Sequence, residues 1–216
     1  MEPTTDRLKT PRAAGLAGVA FALLLGAAIV LMRISVPAGD AAADAAIDPD
    51  RRWAVQTALQ IVPFAGIFFL WFMGALRAHT GAAEDRFIAT VFLGSGFVFV
   101  AALFAAAAAA GTVLDEQTPS DFGRHYAYTL LATYAMRMAA VFVLATSMIG
   151  RKLGVFPRPL ALLGTLVGLV LIVVGAGVPW SELLFPAWAL VLSLHILRVR
   201  RQAAPTDRSG PAVNPS

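Results

Sequence analysis

The sequence contains no cysteine and few charged residues, and these two absences set the first limits on the protein. Without cysteine the chain forms no disulfide, binds no metal through thiolates and has no cysteine nucleophile. Charged residues make up 14% of the 216 positions, against about 25% in a typical soluble domain. Hydrophobic residues make up 58% of the chain, and the mean hydropathy is +0.73. We therefore predict an integral membrane protein that uses lipid as the solvent for much of its exterior.

Long apolar runs predict an all-α bundle of six transmembrane helices within residues 13–198. The runs cover residues 13–32, 53–76, 87–110, 126–149, 159–178 and 181–198, and each is close to the roughly 20 residues that a spanning helix needs. The first run is too long for the apolar part of a signal peptide, so we expect it to stay uncleaved. Residues 1–12 form a polar N-terminal segment, and residues 199–216 form a tail whose composition predicts disorder.

The distribution of lysine and arginine favours an orientation with both termini in the cytoplasm. In this orientation the inner segments hold Arg7, Lys9, Arg12, Arg77, Arg86, Arg151, Lys152, Arg158, Arg198, Arg200, Arg201 and Arg208, whereas the outer segments hold Arg33, Arg51, Arg52 and Arg124. Basic residues concentrate on the cytoplasmic side of membrane proteins. The richness in Ala, Gly, Val, Pro and Arg is typical of a high-GC bacterium, so we expect a bacterial plasma-membrane location.

One charged residue, Arg137, lies near the middle of the fourth apolar run. An arginine at the centre of a span costs about 2.5–3.5 kcal/mol on insertion scales. Residues three, four, seven and eight positions apart share a helix face, so Tyr134, Thr133 and Thr129 should form a polar stripe that ends at Arg137. We expect the guanidinium to lean along this stripe, because helical side chains point toward the helix N-terminus.

The second apolar run offers partners for Arg137 at a comparable depth. Gln56 and Gln60 are amides in that run, and Pro63 frees the backbone carbonyl one turn before it. We therefore expect Arg137 to meet the second helix, directly or through water. In one interpretation the residues form an outward-facing cationic cavity for an anionic group, such as a lipid phosphate or a carboxylate. In the other, the arginine is structural and is satisfied by amides, tyrosine and carbonyls. The ligand-binding hypothesis comprises Arg137, Tyr134, Thr133, Thr129, Gln60 and Gln56.

No catalytic, metal or cofactor site is evident in the sequence. A haem would need two histidines facing each other at matched depth, whereas His79 and His125 lie in loops and His195 lies near the end of the last run. The basic cluster at residues 198–201 is short and next to the membrane, so it favours a topology anchor, and we expect no nucleic-acid partner. We predict no enzyme, no cofactor and no metal.

Small residues mark close helix packing in the third and fifth runs. Gly164 and Gly168 have the GxxxG spacing, and residues 105–110 are all alanine. Such residues let two helices approach closely. The packing could serve the interior of the bundle, which is the commoner use, or a partner protein.

The stretches EDRFIATVFLGSGFVFVAALFAAAA (84–108) and YAMRMAAVFVLATSMIG (134–150) resemble those of small multi-pass proteins of high-GC bacteria that carry no assigned activity. This resemblance implies an inner-membrane location and no particular substrate. Two function classes remain open: a non-enzymatic membrane subunit or accessory protein that packs against lipids or other membrane proteins, and a small-molecule or lipid binder or transporter that uses Arg137. A solid bundle with an exposed Gly/Ala seam would favour the first class, and a water-filled pocket at Arg137 the second.

Overall fold

A computed structural model describes residues 10–35, 52–80, 86–115, 121–174, 178 and 180–202. In chain order the helices are α1 (Thr10–Ser35), α2 (Arg52–Thr80), α3 (Arg86–Asp115), α4 (Asp121–Tyr128), a π-helix (Thr129–Ala135), α5 (Met136–Lys152), α6 (Arg158–Val173), a 3₁₀-helix (Ser181–Leu183) and α7 (Leu184–Gln202). No strand occurs within the described ranges. The termini (1–9 and 203–216) and the acidic segment with Asp40, Asp44 and Asp48 lie outside them.

The turn between α5 and α6 follows from its local sequence. Gly154 has a φ of +65°, a left-handed conformation that costs a glycine nothing. Pro157 then precedes the helix in an extended conformation, and a second proline, Pro159, occupies its first turn, where a missing N–H has no consequence. The short turn therefore makes α6 fold back antiparallel to α5.

The helices form a ring in which each packs on its neighbours. α1 lies between α2 and α7, α3 lies between α2 and α5, and α6 packs mainly on α5 and also on α7. In the described part of the chain, five helical segments are long and apolar enough to cross a membrane: Gly15–Ser35, Arg52–Ala78, Arg86–Thr112, His125–Lys152 and Ser181–Val199. The predicted all-α membrane bundle is thus confirmed. The remaining predicted span is shorter than expected, because α6 has 16 residues and ends at Val173.

The centre of the bundle is filled by aromatic rings from five different helices. The largest fully buried side chains of the described core include Phe21, Phe69, Phe72, Phe99, Phe142 and Phe185. The Phe69 ring lies 4.9 Å from both the Phe21 and the Phe142 rings, and 5.0 Å from Phe99. Most of these pairs are tilted or edge-to-face, a geometry that contributes about 0.5–1.5 kcal/mol per pair beyond burial. The middle of the bundle is therefore a packed core.

The glycines of α6 serve the interior of the bundle. Gly164 lies against Ser147 and Trp188, and a Cβ on Gly168 would lie 3.2 Å from the carbonyl oxygen of Ala140. Both glycines are buried. The GxxxG pattern thus brings the backbones of α5 and α6 into close contact, which is the commoner of its two predicted uses.

Candidate functional site

Arg137 lies on the outer surface of α5 and does not meet α2. Its side chain is exposed, and Nη1 donates a hydrogen bond of 3.1 Å to the carbonyl oxygen of Thr133 in the preceding turn. The predicted lean toward the helix N-terminus is correct. The predicted shelter against the second helix is wrong, because α3 lies between α2 and α5.

The polar stripe predicted by counting along an ideal α-helix lies within a π-helix, which changes its geometry at the end far from Arg137. Over the seven residues from Thr129 to Ala135 the turns are wider, and the Met136 N–H donates to the Leu131 carbonyl five residues back. A π-segment accommodates about one extra residue, and one residue corresponds to about 100° of rotation. Thr129, at the start of the π-helix, is therefore rotated away from the direction that an ideal α-helix would give it relative to Arg137.

The other predicted site residues fall into two separate groups. Tyr134 is exposed beside Arg137, and Thr133 and Thr129 are half-buried. Gln56 and Gln60 are exposed on α2, on the far side of α3. The structure therefore brings Arg137, Tyr134 and Thr133 together and leaves the two glutamines apart from them. Whether any of them binds a ligand stays a prediction.

The register of α6 against α5 fixes the level of Arg137 within the bundle. Gly164 lies level with Ser147, and Gly168 with Ala140. One further turn along α5 reaches Arg137, and one further turn along the antiparallel α6 reaches its C-terminal end. Arg137 thus lies level with the end of α6, although it lies near the middle of its own His125–Lys152 segment.

The last helix gives the same level independently. The Phe142 ring lies 6.4 Å from the Phe185 ring and 6.5 Å from the Trp188 ring. Arg137 is five residues before Phe142. In the same way, Trp180 is five residues before Phe185, and Leu183 is five residues before Trp188. Because α5 and α7 run in the same direction, Arg137 lies level with the start of the last helical segment.

Three segments extend well beyond this level, and we call them the distal ends. They comprise residues 52–63 of α2, residues 105–115 of α3, and residues 121–136, which include α4 and the π-helix. Phe69 contacts Phe142, so Phe64 on α2 lies level with Arg137, roughly 18 Å along the helix from Arg52. A hydrogen bond from the Arg52 side chain to the Leu114 carbonyl joins two of the distal ends.

A buried ion pair that the sequence did not reveal connects α1 to the last helical segment. The Arg33 guanidinium bonds to Oε1 of Glu182, and the two side chains are 10% and 4% exposed. Each charge also lies at a favourable helix end, since a cation suits the C-terminus of α1 and an anion the N-terminus of the 3₁₀-helix. The second carboxylate oxygen, Oε2, is buried and has no hydrogen-bond partner among the described residues.

The residue two before Glu182 has an unusual backbone conformation. Trp180 has a φ of +70°, a left-handed conformation that is uncommon for a residue with a Cβ. It directly precedes the 3₁₀-helix that carries Glu182. The sharp entry into this segment places Ser181 and Glu182 in buried positions. The acid is thereby turned toward the end of α1.

No group of three or more His, Asp or Glu residues that could hold a metal ion occurs in the described part of the chain. His125 is exposed at the distal ends, whereas His195 is half-buried near the opposite end of α7. Ser95, the middle residue of the Gly-Ser-Gly stretch, donates to the carbonyls of Val91 and Phe92 in its own helix. These residues do not assemble a catalytic set.

No family model, curated protein or solved structure matches the chain.

Proposed function

We propose that the protein is a non-enzymatic membrane subunit or accessory protein that acts through its outer surface. We further propose that it lies in a bacterial plasma membrane with both termini in the cytoplasm. Support for the orientation comes from the basic residues. Arg77, Arg86, Arg151, Arg158 and Arg198 all lie at one end of the bundle, which we call the basic side.

The observation that carries the proposal is the packed aromatic core. Phe69 and Phe142 meet at the bundle axis, where a conduit for a polar solute would need water or polar groups. Both rings are fully buried. The polar and charged side chains of Arg137, Gln56 and Gln60 lie on the exterior instead. A protein with a solid centre and polar groups on its surface is better suited to contacting neighbours than to moving a solute.

An exposed seam of small residues on α3 is consistent with this proposal. Gly94, Ala101, Ala105 and Ala108 are exposed along one side of the helix, interrupted by Val98, which is 50% exposed, and a Cβ on Gly94 would meet nothing within 4 Å. On α6 the exposed positions are bulky, with Leu162 70% exposed. Small side chains permit close approach of another helix. The alternative function, a small-molecule or lipid binder or transporter with a cationic cavity at Arg137, is less well supported, since the guanidinium lies on the surface.

The proposal is tested by comparing the protein from two sources in native-lipid polymer discs. One sample is isolated from the membranes of its own cells at natural abundance, and the other is overexpressed alone. We expect the first to have a mass well above that of a single 22.7 kDa chain and to contain a second polypeptide in fixed proportion. The second sample should lack this component.

A functional measurement supplies the opposing outcome. The overexpressed protein is reconstituted into sealed vesicles, and uptake of ions and small organic anions is compared with that of empty vesicles. We expect no difference. Saturable uptake, together with a single-chain mass from both sources, would contradict the subunit proposal in favour of transport.

A further inference from the structure

We propose that Arg137, with Tyr134 beside it, binds the phosphate group of a phospholipid in the leaflet opposite the basic side. This site is independent of the subunit function proposed above. It requires the hydrocarbon boundary to pass through Arg137, well below the tips of the distal ends.

The lengths of α6 and α7 give the first reason for this boundary. α6 begins at Arg158 on the basic side and ends after 16 residues, which is roughly 24 Å at 1.5 Å per residue. The segment from Glu182 to Arg198 has a similar length. A bilayer that meets both helices along their full length therefore ends near the level of Trp180. The registers described above place Arg137 at that level.

The distribution of polar side chains gives the second reason. A boundary at the tips of the distal ends would leave the exposed Arg137, Gln60 and Gln56 in hydrocarbon. Polar groups within a span normally face the bundle interior or a water-filled cavity. A boundary through Arg137 places both glutamines in water and the guanidinium among the headgroups. Trp180, which is 46% exposed, then has the position typical of the aromatic belt.

The geometry of Arg137 suits a phosphate. Its side chain leans toward the distal side, and one nitrogen, Nη1, donates to the Thr133 carbonyl. This bond fixes the direction of the guanidinium, whose planar fork of donors matches phosphate oxygens. The Tyr134 hydroxyl is on an exposed side chain in the preceding turn and adds a further donor. α6 ends at the same level, so within the described residues this helix does not extend beyond Arg137 to cover it.

The boundary is tested by the labelling of single cysteines, for which the natural absence of cysteine gives a clean background. Tyr134→Cys, Gln56→Cys and Leu166→Cys are placed in nanodiscs, whose two faces are both open to a membrane-impermeant maleimide. Tyr134 and Leu166 are equally exposed, each at 58%, so Leu166→Cys is the matched control. We expect rapid labelling at 56 and 134 and labelling at least about tenfold slower at 166, where the thiol lies among acyl chains. Equal protection at all three positions would overturn the proposal.

The ligand is tested by native mass spectrometry with phosphatidylglycerol, a phosphate-free galactolipid, and inorganic phosphate as probes. We expect Arg137→Met to bind phosphatidylglycerol at its tightest site about tenfold more weakly than the natural protein, and Arg137→Lys to have an intermediate affinity, because lysine keeps the charge and loses the planar fork. The galactolipid should not distinguish the variants, and millimolar inorganic phosphate should not displace the phospholipid. Equal phosphatidylglycerol affinity in Arg137→Met and the natural protein, or a preference for free phosphate, would refute a phospholipid site.

Discussion

Breaking the Arg33–Glu182 pair from one side should destabilise the protein strongly. In Arg33→Met the Glu182 carboxylate would keep its burial, with a side chain 4% exposed. It would lose the partner of Oε1, and Oε2 has no partner among the residues that the structure describes. Removing one member of a buried pair typically costs about 3–5 kcal/mol, because the remaining charge is left uncompensated. We expect a loss in this range for Arg33→Met and for Glu182→Met.

The double variant distinguishes this mechanism from a loss of packing. Arg33→Met/Glu182→Met leaves no buried charge, and replacement of a buried pair by apolar residues of similar volume is often neutral or stabilising. We therefore expect it to lie within about 1 kcal/mol of the natural protein, which gives a coupling energy of several kcal/mol. The measurement is reversible unfolding in bicelles by steric trapping or a denaturing detergent. Single variants that each lose less than about 1 kcal/mol, or a double variant whose loss equals their sum, would show that the pair is not energetically coupled.

Three further predictions concern contacts between helices. Gly168→Ile should destabilise the protein by about 1–3 kcal/mol in the same unfolding assay, because the added side chain meets the Ala140 carbonyl on the neighbouring helix. Gly94→Ala is the control: with open space around it, it should be neutral or stabilising by up to about 1 kcal/mol. Phe69→Ala should cost about 3–5 kcal/mol, and Phe87→Ala, at a site 75% exposed, far less; similar losses at the two positions would contradict the aromatic core. Arg52→Met should speed hydrogen exchange at the end of α3, where the Leu114 carbonyl loses its partner, and unchanged exchange there would show that this bond does not hold the distal ends together.

The helices could be predicted from the sequence because their signals are local. The apolar run at 87–110 lies within the observed Arg86–Asp115 helix, and the run at 53–76 lies within Arg52–Thr80. Prolines and basic residues at the ends also act locally, as at the start of α6. The packing of Gly164 and Gly168 inside the bundle agrees with the commoner use of the GxxxG spacing. The helix signals depend on residues within a few turns of one another, whereas the interior position of the two glycines depends on contacts with other helices.

The candidate sites could not be predicted in the same way because they depend on how the helices are arranged. Arg33 and Glu182 are 149 positions apart, and each looks like a residue at the end of a span until α1 and the last helical segment are placed side by side. Gln60 was a reasonable partner for Arg137 by depth along the helix, but the intervening α3 separates them. The wider turns from Thr129 to Ala135 carry no clear sequence signal.

The two charged features of the structure together define a plane. The contacts of the Phe142 ring with Phe185 and Trp188 place Arg137 level with residues 180–183. Arg33 bonds to Glu182, which lies within that same short segment. One arginine faces outward and the other is paired inside the bundle, so they reach this level from different helices by different contacts. Charges avoid hydrocarbon wherever the fold allows it. Their agreement favours a membrane that ends at this plane, with the alanine-rich end of α3 and the glutamines of α2 in water beyond it.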